Sequence, residues 1–279
     1  MNDLEDEFTG LSSVLTTAFS TQATRDLKEI FEGKDVLDFP KPVEYIKLLV
    51  QQAATPAGQD IVLDFFAGSC TTAQAVLELN REDGGNRRFI CVQLPELLSE
   101  PKKLSHRTVL KTIADIGKER IRRVIAKMRE AQNGKLELKD RETPEDLGFK
   151  VFKLAPSNFR PFIPVSDAQA YLPNLEAHAK NPLIEAWTPE NLTCEVAIKE
   201  GYGLSYRVEP VAAVTKHKVA RVTDPDKEQS FYLCLDDKLN LKALKPLNLS
   251  RADLFICRKL ALDDNTAANL ALQCRLKAI

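Results

Sequence analysis

The chain has 279 residues, of which 44% are hydrophobic and 28% charged, with 39 basic side chains against 40 acidic ones and a formal net charge of -1. This length accommodates one large domain or two modest ones, each able to bury a core, and the balanced charge shows no bulk attraction to nucleic acid while leaving room for a local basic patch. No apolar run approaches the roughly 20 residues that a membrane span requires, and the acidic start Met1-Asn2-Asp3-Leu4-Glu5-Asp6-Glu7 is not a signal peptide.

Residues 1–35 are polar and rich in Thr and Ser, with a short helix expected at 24–31. Phe39-Pro40-Lys41-Pro42 is a stiff, extended lead-in, because proline fixes its own φ and disfavours helix in the residue before it. A helix follows over 43–54, where Val43, Ile46, Leu49 and Val50 fall on one face. Thr55-Pro56-Ala57-Gly58 breaks it. Ile61-Val62-Leu63 is the first strand, ending at Asp64, and a small-residue turn leads into a helix expected over 72–79. Residues 80–87, with Gly84-Gly85, read as a loop. Residues 88–94 read as a second strand, apolar almost throughout as a buried parallel strand is. Residues 101–132 are charged and helical in pattern, with Ile113, Ile116, Ile121, Val124, Ile125 and Met128 for a packed face. A further strand is expected at 148–154.

Beyond about residue 155 the texture changes. Pro156, Pro161, Pro164, Pro173, Pro182 and Pro189 punctuate a loop-rich passage that marks a linker or a new unit. Strands are expected at 204–208, 219–222, 231–235 and 254–258, and a closing helix at 265–277. The six cysteines are dispersed and form no C-x-x-C pair, and His106, His178 and His217 are remote from them in sequence. That pattern predicts no metal site and small buried thiols in a reducing, cytoplasmic setting.

The turn after Leu63 carries the chemistry. Asp64 stands at the ligand edge of the sheet. Gly68, with the small Ala67 and Ser69, lets backbone N–H groups approach a ligand, and the helix N-terminus behind them favours carboxylate or phosphate. Thr71 and Thr72 offer an N-cap and hydroxyl donors. The dinucleotide pattern G-x-G-x-x-G is absent, since Cys70 stands where a glycine would, and no Gly-Lys-Ser/Thr follows to make a P-loop. A nicotinamide oxidoreductase shares the strand–turn–helix but not this glycine pattern.

Three segments in order, Phe39-Pro40-Lys41-Pro42-Val43-Glu44-Tyr45-Ile46, Val62-Leu63-Asp64-Phe65-Phe66-Ala67-Gly68-Ser69 and Arg88-Phe89-Ile90-Cys91-Val92-Gln93-Leu94-Pro95-Glu96, closely resemble the modification subunits of type III restriction systems. The resemblance continues through Gly117-Lys118-Glu119-Arg120-Ile121-Arg122-Arg123, Gly148 to Leu154, Ser157-Asn158-Phe159 and Leu262-Asp263-Asp264-Asn265. Those subunits are adenine-N6 DNA methyltransferases that use S-adenosylmethionine. The resemblance implies an α/β fold: a partial Rossmann-like methyltransferase sheet, the cofactor-binding half, over 1–155, then a smaller α/β or α+β C-terminal module over 156–279. It also implies that Phe39, Pro40 and Lys41 lie beside the methionine end of the cofactor. Asp64, Phe65, Phe66, Ala67, Gly68, Ser69, Thr71 and Thr72 would wrap it, and Glu96 or Gln93 would meet its ribose. A Cβ at position 70, if that residue has positive φ, costs about 1 kcal/mol or somewhat more.

In this family an Asp-Pro-Pro-Tyr type motif holds the amine of a flipped base and precedes the Phe-Pro-Lys-Pro segment. No two prolines are adjacent anywhere in the chain, so no catalytic residue is nominated. The expected function is that of a type III adenine-specific methyltransferase lacking its catalytic half. The alternative is a non-catalytic cofactor-binding or assembly subunit of a split or truncated enzyme. The implied partners are DNA through the complete enzyme, the restriction subunit of the same system, and either a second copy or a missing N-terminal half, with no membrane. The basic residues between Lys102 and Arg129 offer phosphate contacts, Trp187 reads as a packing residue, and Asp263-Asp264-Asn265 reads as a helix cap.

Overall fold

The computed structural model describes residues 15, 19–58, 60–105, 108–132, 145–161, 172, 173, 175, 176 and 181–279. Two units are distinguished, Met1–Val151 and Phe152–Ile279, and both mix helix with strand.

In the first unit, α1 (Ser20–Ile30) and α2 (Val43–Ala53) precede β1 (Ile61–Asp64) and α3 (Thr71–Asp83). Helix α2 buries Val43, Lys47 and Val50, whereas Leu49 is exposed. The face expected from apolar spacing is therefore rotated toward a lysine. Its ammonium explains why: Lys47 Nζ lies 2.5 Å from Glu82, 3.2 Å from Glu44 and 3.8 Å from Glu78, so the side chain packs along the α2–α3 seam and keeps its charge paired. The C-terminal end of α2 is pinned by buried Arg87, whose Nε donates to the Ala54 carbonyl while its other nitrogens take Asp83 as a fork.

Strand β2 (Arg88–Cys91) runs parallel to β1, with Leu63 opposite Ile90 and Asp64 opposite Cys91. One face of this pair, carrying Val62 and Phe89, packs on the helices. The other is bare: Ile61 is 51% exposed, Leu63 59% and Ile90 38%. The expected burial of the second strand is thus corrected to burial on one face.

The largest revision falls on residues 101–132. Helix α4 begins only at Ile113 and runs to Gln132. What precedes it is an antiparallel pair, β3 (Leu97–Lys103) and β4 (Val109–Thr112), with an irregularity between Leu97 and Lys102. Pro101 cannot sit in a helix interior, and the actual start is a reciprocal capping box. Thr112 Oγ1 accepts from Asp115 N at 3.1 Å while Asp115 Oδ2 accepts from Thr112 N at 3.0 Å. Helix α4 then buries Ile116, Ile121, Val124, Ile125 and Met128. Residues 148–154 form no strand, and α3 extends to Asp83, into the expected loop.

The second unit is a mixed five-stranded sheet in the order β5–β6–β7–β8–β9. Strands β5 (Arg207–Pro210), β6 (Val219–Asp224) and β7 (Gln229–Cys234) form an antiparallel meander. Strands β8 (Leu254–Cys257) and β9 (Arg275–Ala278) extend it in parallel. Helix α5 (Pro189–Lys199), unforeseen in the sequence, opens on a Thr188 N-cap with proline at its first position. Short α6 (Leu241–Leu244) and then α7 (Asp264–Gln273) make the parallel crossovers. The closing helix stops at Gln273 because the last residues pair with β8 as β9. Asp263 caps α7, accepting from Thr266 N at 2.7 Å. Trp187 packs on the core of this unit beneath the Arg258 guanidinium. No helix among the described residues is long and apolar enough to cross a membrane.

Candidate functional site

The turn between β1 and α3 is built by hydrogen bonds from both strands. Asp64 Oδ1 accepts from Phe66 N at 3.1 Å, and Oδ2 accepts from the Thr72 hydroxyl at 2.6 Å. The Asp64 carbonyl accepts from Val92 N, and the Val92 carbonyl accepts from Ala67 N. Gln93 Oε1 accepts from Gly68 N at 2.8 Å. Asp64, Ala67, Gly68, Thr72 and Gln93 are thereby drawn into one cluster. Gln93 acts within it as an organiser of the turn.

Two residues of the turn have left-handed backbone. Gly68 has φ 52°, and nothing lies within 4 Å of where its Cβ would be. Cys70 has φ 59° and ψ 42°, so the glycine-like geometry is kept although the residue has changed. Cys70, rather than either threonine, is the N-cap of α3, and its side chain makes no capping hydrogen bond. Both expected caps are otherwise engaged: Thr72 donates to Asp64, and Thr71 Oγ1 accepts from Arg120. The N-terminus of a thirteen-residue helix therefore faces the turn with the Ala73 amide turned to the Cys91 sulfur and no capping bond from its own N-cap side chain, an arrangement that favours an anion.

Phe65 and Phe66 stand exposed beside the turn, their ring centroids 5.1 Å apart and tilted at 52°. Pro40 is buried and Lys41 exposed. Phe39 is exposed at φ 52°, a conformation rare for an aromatic residue. Glu96 presents its side chain to solvent, while its carbonyl accepts from Ile113 N at the start of α4. Among the described residues, no hydrogen bond ties Phe39, Pro40, Lys41 or the Glu96 carboxylate to the turn.

Behind the turn lies a residue that sequence reasoning did not nominate. Arg120 on α4 is 1% exposed, and its Nε donates to Gln74 Oε1 while Nη1 donates to Ser69 Oγ and Thr71 Oγ1, each at 2.8 Å. Burial lowers its pKa to about 10, although Cys70, Glu78 and Asp26 act the other way. The only hint in the sequence was an arginine one helical turn after Gly117 on an otherwise apolar face. Cys70 packs with Cys91, whose thiol is pushed up by the neighbouring sulfur and by burial.

The remaining basic residues of α4 are mostly paired inside this unit. Arg123 bonds Glu119, Glu32 and the Ile30 carbonyl, Lys127 bonds Glu29, Lys118 pairs with Asp115, and Arg129 bonds the Leu147 carbonyl. From Lys118 on, the candidate phosphate contacts are therefore largely internal ties; Arg107 lies outside the described residues.

In the second unit, the fold brings together residues that are distant in sequence: ligand atoms of His217, Cys234 and Asp236 lie within 4.8 Å of one another. Both ring nitrogens of His217 are engaged. Nε2 accepts from Asn240 N at 3.0 Å, which places the proton on Nδ1, 2.8 Å from Asp236. Burial pushes the Cys234 thiol up to about 11. His217 thus links Asp236 to the Asn240 amide.

A strand, a carboxylate at its end, a left-handed small-residue turn and a helix N-terminus define the first unit as an α/β ligand-edge element. Residues 12–128 match the DNA methylase family. The chain is 40% identical over 138 residues to the Mod subunit of the type III restriction-modification enzyme StyLTI of Salmonella typhimurium, a match covering 50% of this chain and 19% of that protein. It is 40% identical over 108 residues to the EcoPI Mod subunit of Escherichia phage P1, covering 39% and 16% of the two chains. It is also 35% identical over 98 residues to the type II methyltransferase M.KpnI of Klebsiella pneumoniae, covering 35% and 22%. This part of the chain is similar to the modification subunits of type III restriction-modification enzymes. The matches span about a fifth of the length of these relatives.

Proposed function

We propose that the chain is the cofactor-side part of an S-adenosylmethionine-dependent, adenine-N6 DNA methyltransferase of a type III restriction-modification system, working in the cytoplasm. The observation that carries this reading is the β1–α3 turn. It offers a helix N-terminus for a carboxylate, an open face at Gly68 and exposed aromatic rings at Phe65 and Phe66. That set fits a cofactor with an amino-acid end and a purine end. When bound, the cofactor supplies an electrophilic methyl group. Asp64 and Gln93 hold the turn; on this reading Phe39, Pro40 and Lys41 would flank the amino-acid end, and Glu96 or Gln93 would accept from the ribose.

A second observation favours assembly with another polypeptide, whether a separate chain or a longer form of this one. Parallel sheets are ordinarily covered on both faces, yet among the described residues β1 pairs with β2 alone and its outer face is apolar and exposed. The expected partner carries the acid-Pro-Pro-aromatic motif and completes a Rossmann-like sheet, and DNA and the restriction subunit are engaged through that complete enzyme. Without it the chain is a cofactor-binding or assembly subunit.

Calorimetric titration with S-adenosylmethionine and with NAD tests the first reading. Binding of the former alone is expected, and binding of NAD alone would overturn it. Methyl transfer to adenine in duplex DNA is expected only after co-expression with a polypeptide bearing the missing motif. Transfer by the chain alone would remove the case for a half-site.

A further inference from the structure

The segment from Gly117 to Arg123 belongs to the resemblance but has no role in the function proposed above. Its geometry supplies one. A side chain at Gly117 would put a Cβ 2.5 Å from the Cys70 sulfur and 3.3 Å from the Gly68 carbonyl oxygen. The helix therefore approaches the turn as closely as a bare backbone permits. Three residues on, and so on the same face of α4, Arg120 reaches the turn with its Nη1 and grips the hydroxyls of both Ser69 and Thr71. Its third partner, Gln74, lies in the first turn of α3. All three hydrogen-bond partners are neutral, and the carboxylates of Glu78 and Asp26 act on this buried cation only through space. What its fork does is join both flanks of Cys70, the residue in the left-handed conformation, to the start of the helix.

We infer that Gly117 and Arg120 are positioning residues that set the shape of the turn at residues 68–71 from behind. Gly117 admits the turn and Arg120 clamps it. On the cofactor reading proposed above, the pair would act on affinity without touching the bound molecule.

Hydrogen exchange read by mass spectrometry on the full chain tests this directly. In Arg120→Met, amides of residues 66–72 are expected to exchange at least tenfold faster, while those at 121–128 of α4 and those of the second unit keep their rates. Arg120→Lys, which keeps the charge without the fork, should fall between. The pair Ser69→Ala and Thr71→Val removes the two hydroxyl acceptors, leaving Gln74, and should reproduce the effect at the turn even if Arg120→Met folds poorly. Gly117→Ala should disturb the same amides by displacement. Unchanged exchange at 66–72, or uniform acceleration throughout the first unit, would overturn the inference, the latter because it marks a merely structural arginine. S-adenosylmethionine affinity should fall at least tenfold in parallel. A parent chain that binds none, with the local exchange effect intact, supports the positioning role and overturns only the cofactor reading.

Discussion

The Thr72 hydroxyl meets Asp64 Oδ2 at 2.6 Å, so the carboxylate that ends β1 is held by the first turn of the helix that follows it. The same carboxylate takes Phe66 N through its other oxygen. Strand end, turn and helix start are thus one hydrogen-bonded unit, and the two partners can be separated by mutation. Asp64→Ala should cost about 1–2 kcal/mol in urea denaturation and weaken S-adenosylmethionine at least tenfold, about 1.4 kcal/mol. Thr72→Val should show much of the stability loss and little of the binding loss. Equal binding losses in the two variants would mean that Asp64 acts only through the turn.

Cys70 offers a test of backbone strain. At φ 59° its Cβ is unfavourable, by about 1 kcal/mol relative to glycine. Cys70→Gly and Cys70→Ala both lose the buried sulfur, but only the first loses the strain. The glycine variant should therefore be the more stable of the two by about 1 kcal/mol, the reverse of the order at an ordinary helical position. Urea midpoints in the opposite order would show that the strain is relieved elsewhere. If the turn binds as proposed, the glycine variant also takes S-adenosylmethionine more tightly than the parent.

In the second unit, Glu195 on α5 gathers Ser157, Asn158 and Lys199. Burial would raise its pKa, but hydrogen bonds from the Ser157 hydroxyl, Lys199, and the Asn158 backbone and side chain outweigh that and hold it at about 2. A carboxyl lowered on folding adds stability that is complete above its unfolded value of 4.5 and is lost as pH falls through that window toward about 2. Unfolding midpoints of the parent should decline across this window more steeply than those of Glu195→Gln, which begins lower. Parallel curves would deny the carboxylate this role.

The capping box at the start of α4 predicts a modest, local effect. Thr112→Val removes the acceptor for Asp115 N and should cost about 1 kcal/mol. Serine at the same position should restore nearly all of it. A valine variant as stable as the parent would show that β3 and β4 fix the helix start unaided.

What the sequence disclosed, and what it hid, divides by the range of the forces involved. The strand–turn–helix at Asp64 was legible because its determinants are local: a short apolar run, small residues and a helix start. The helix expected at 101–132 begins only at Ile113, because Pro101 bars a helix interior and the start signal is the pair Thr112 and Asp115. Lys47 and Arg120 were not seen as interior residues, since a charged side chain is buried only when distant partners supply its hydrogen bonds, and no spacing reveals those. Leu49 lies outside for the same reason, because the face of α2 is settled by Glu82 across the seam. The meeting of His217 with Cys234 and Asp236 likewise depends on which strands the second sheet sets side by side.

The bare face formed by Ile61, Leu63 and Ile90 also bears on how the chain behaves in a tube. Attraction between apolar surfaces in water weakens as temperature falls. The free chain should therefore be most dispersed in the cold and should cluster reversibly on warming, well below the temperature at which it melts. A companion that covers this face would abolish that warming response before any catalysis is measured.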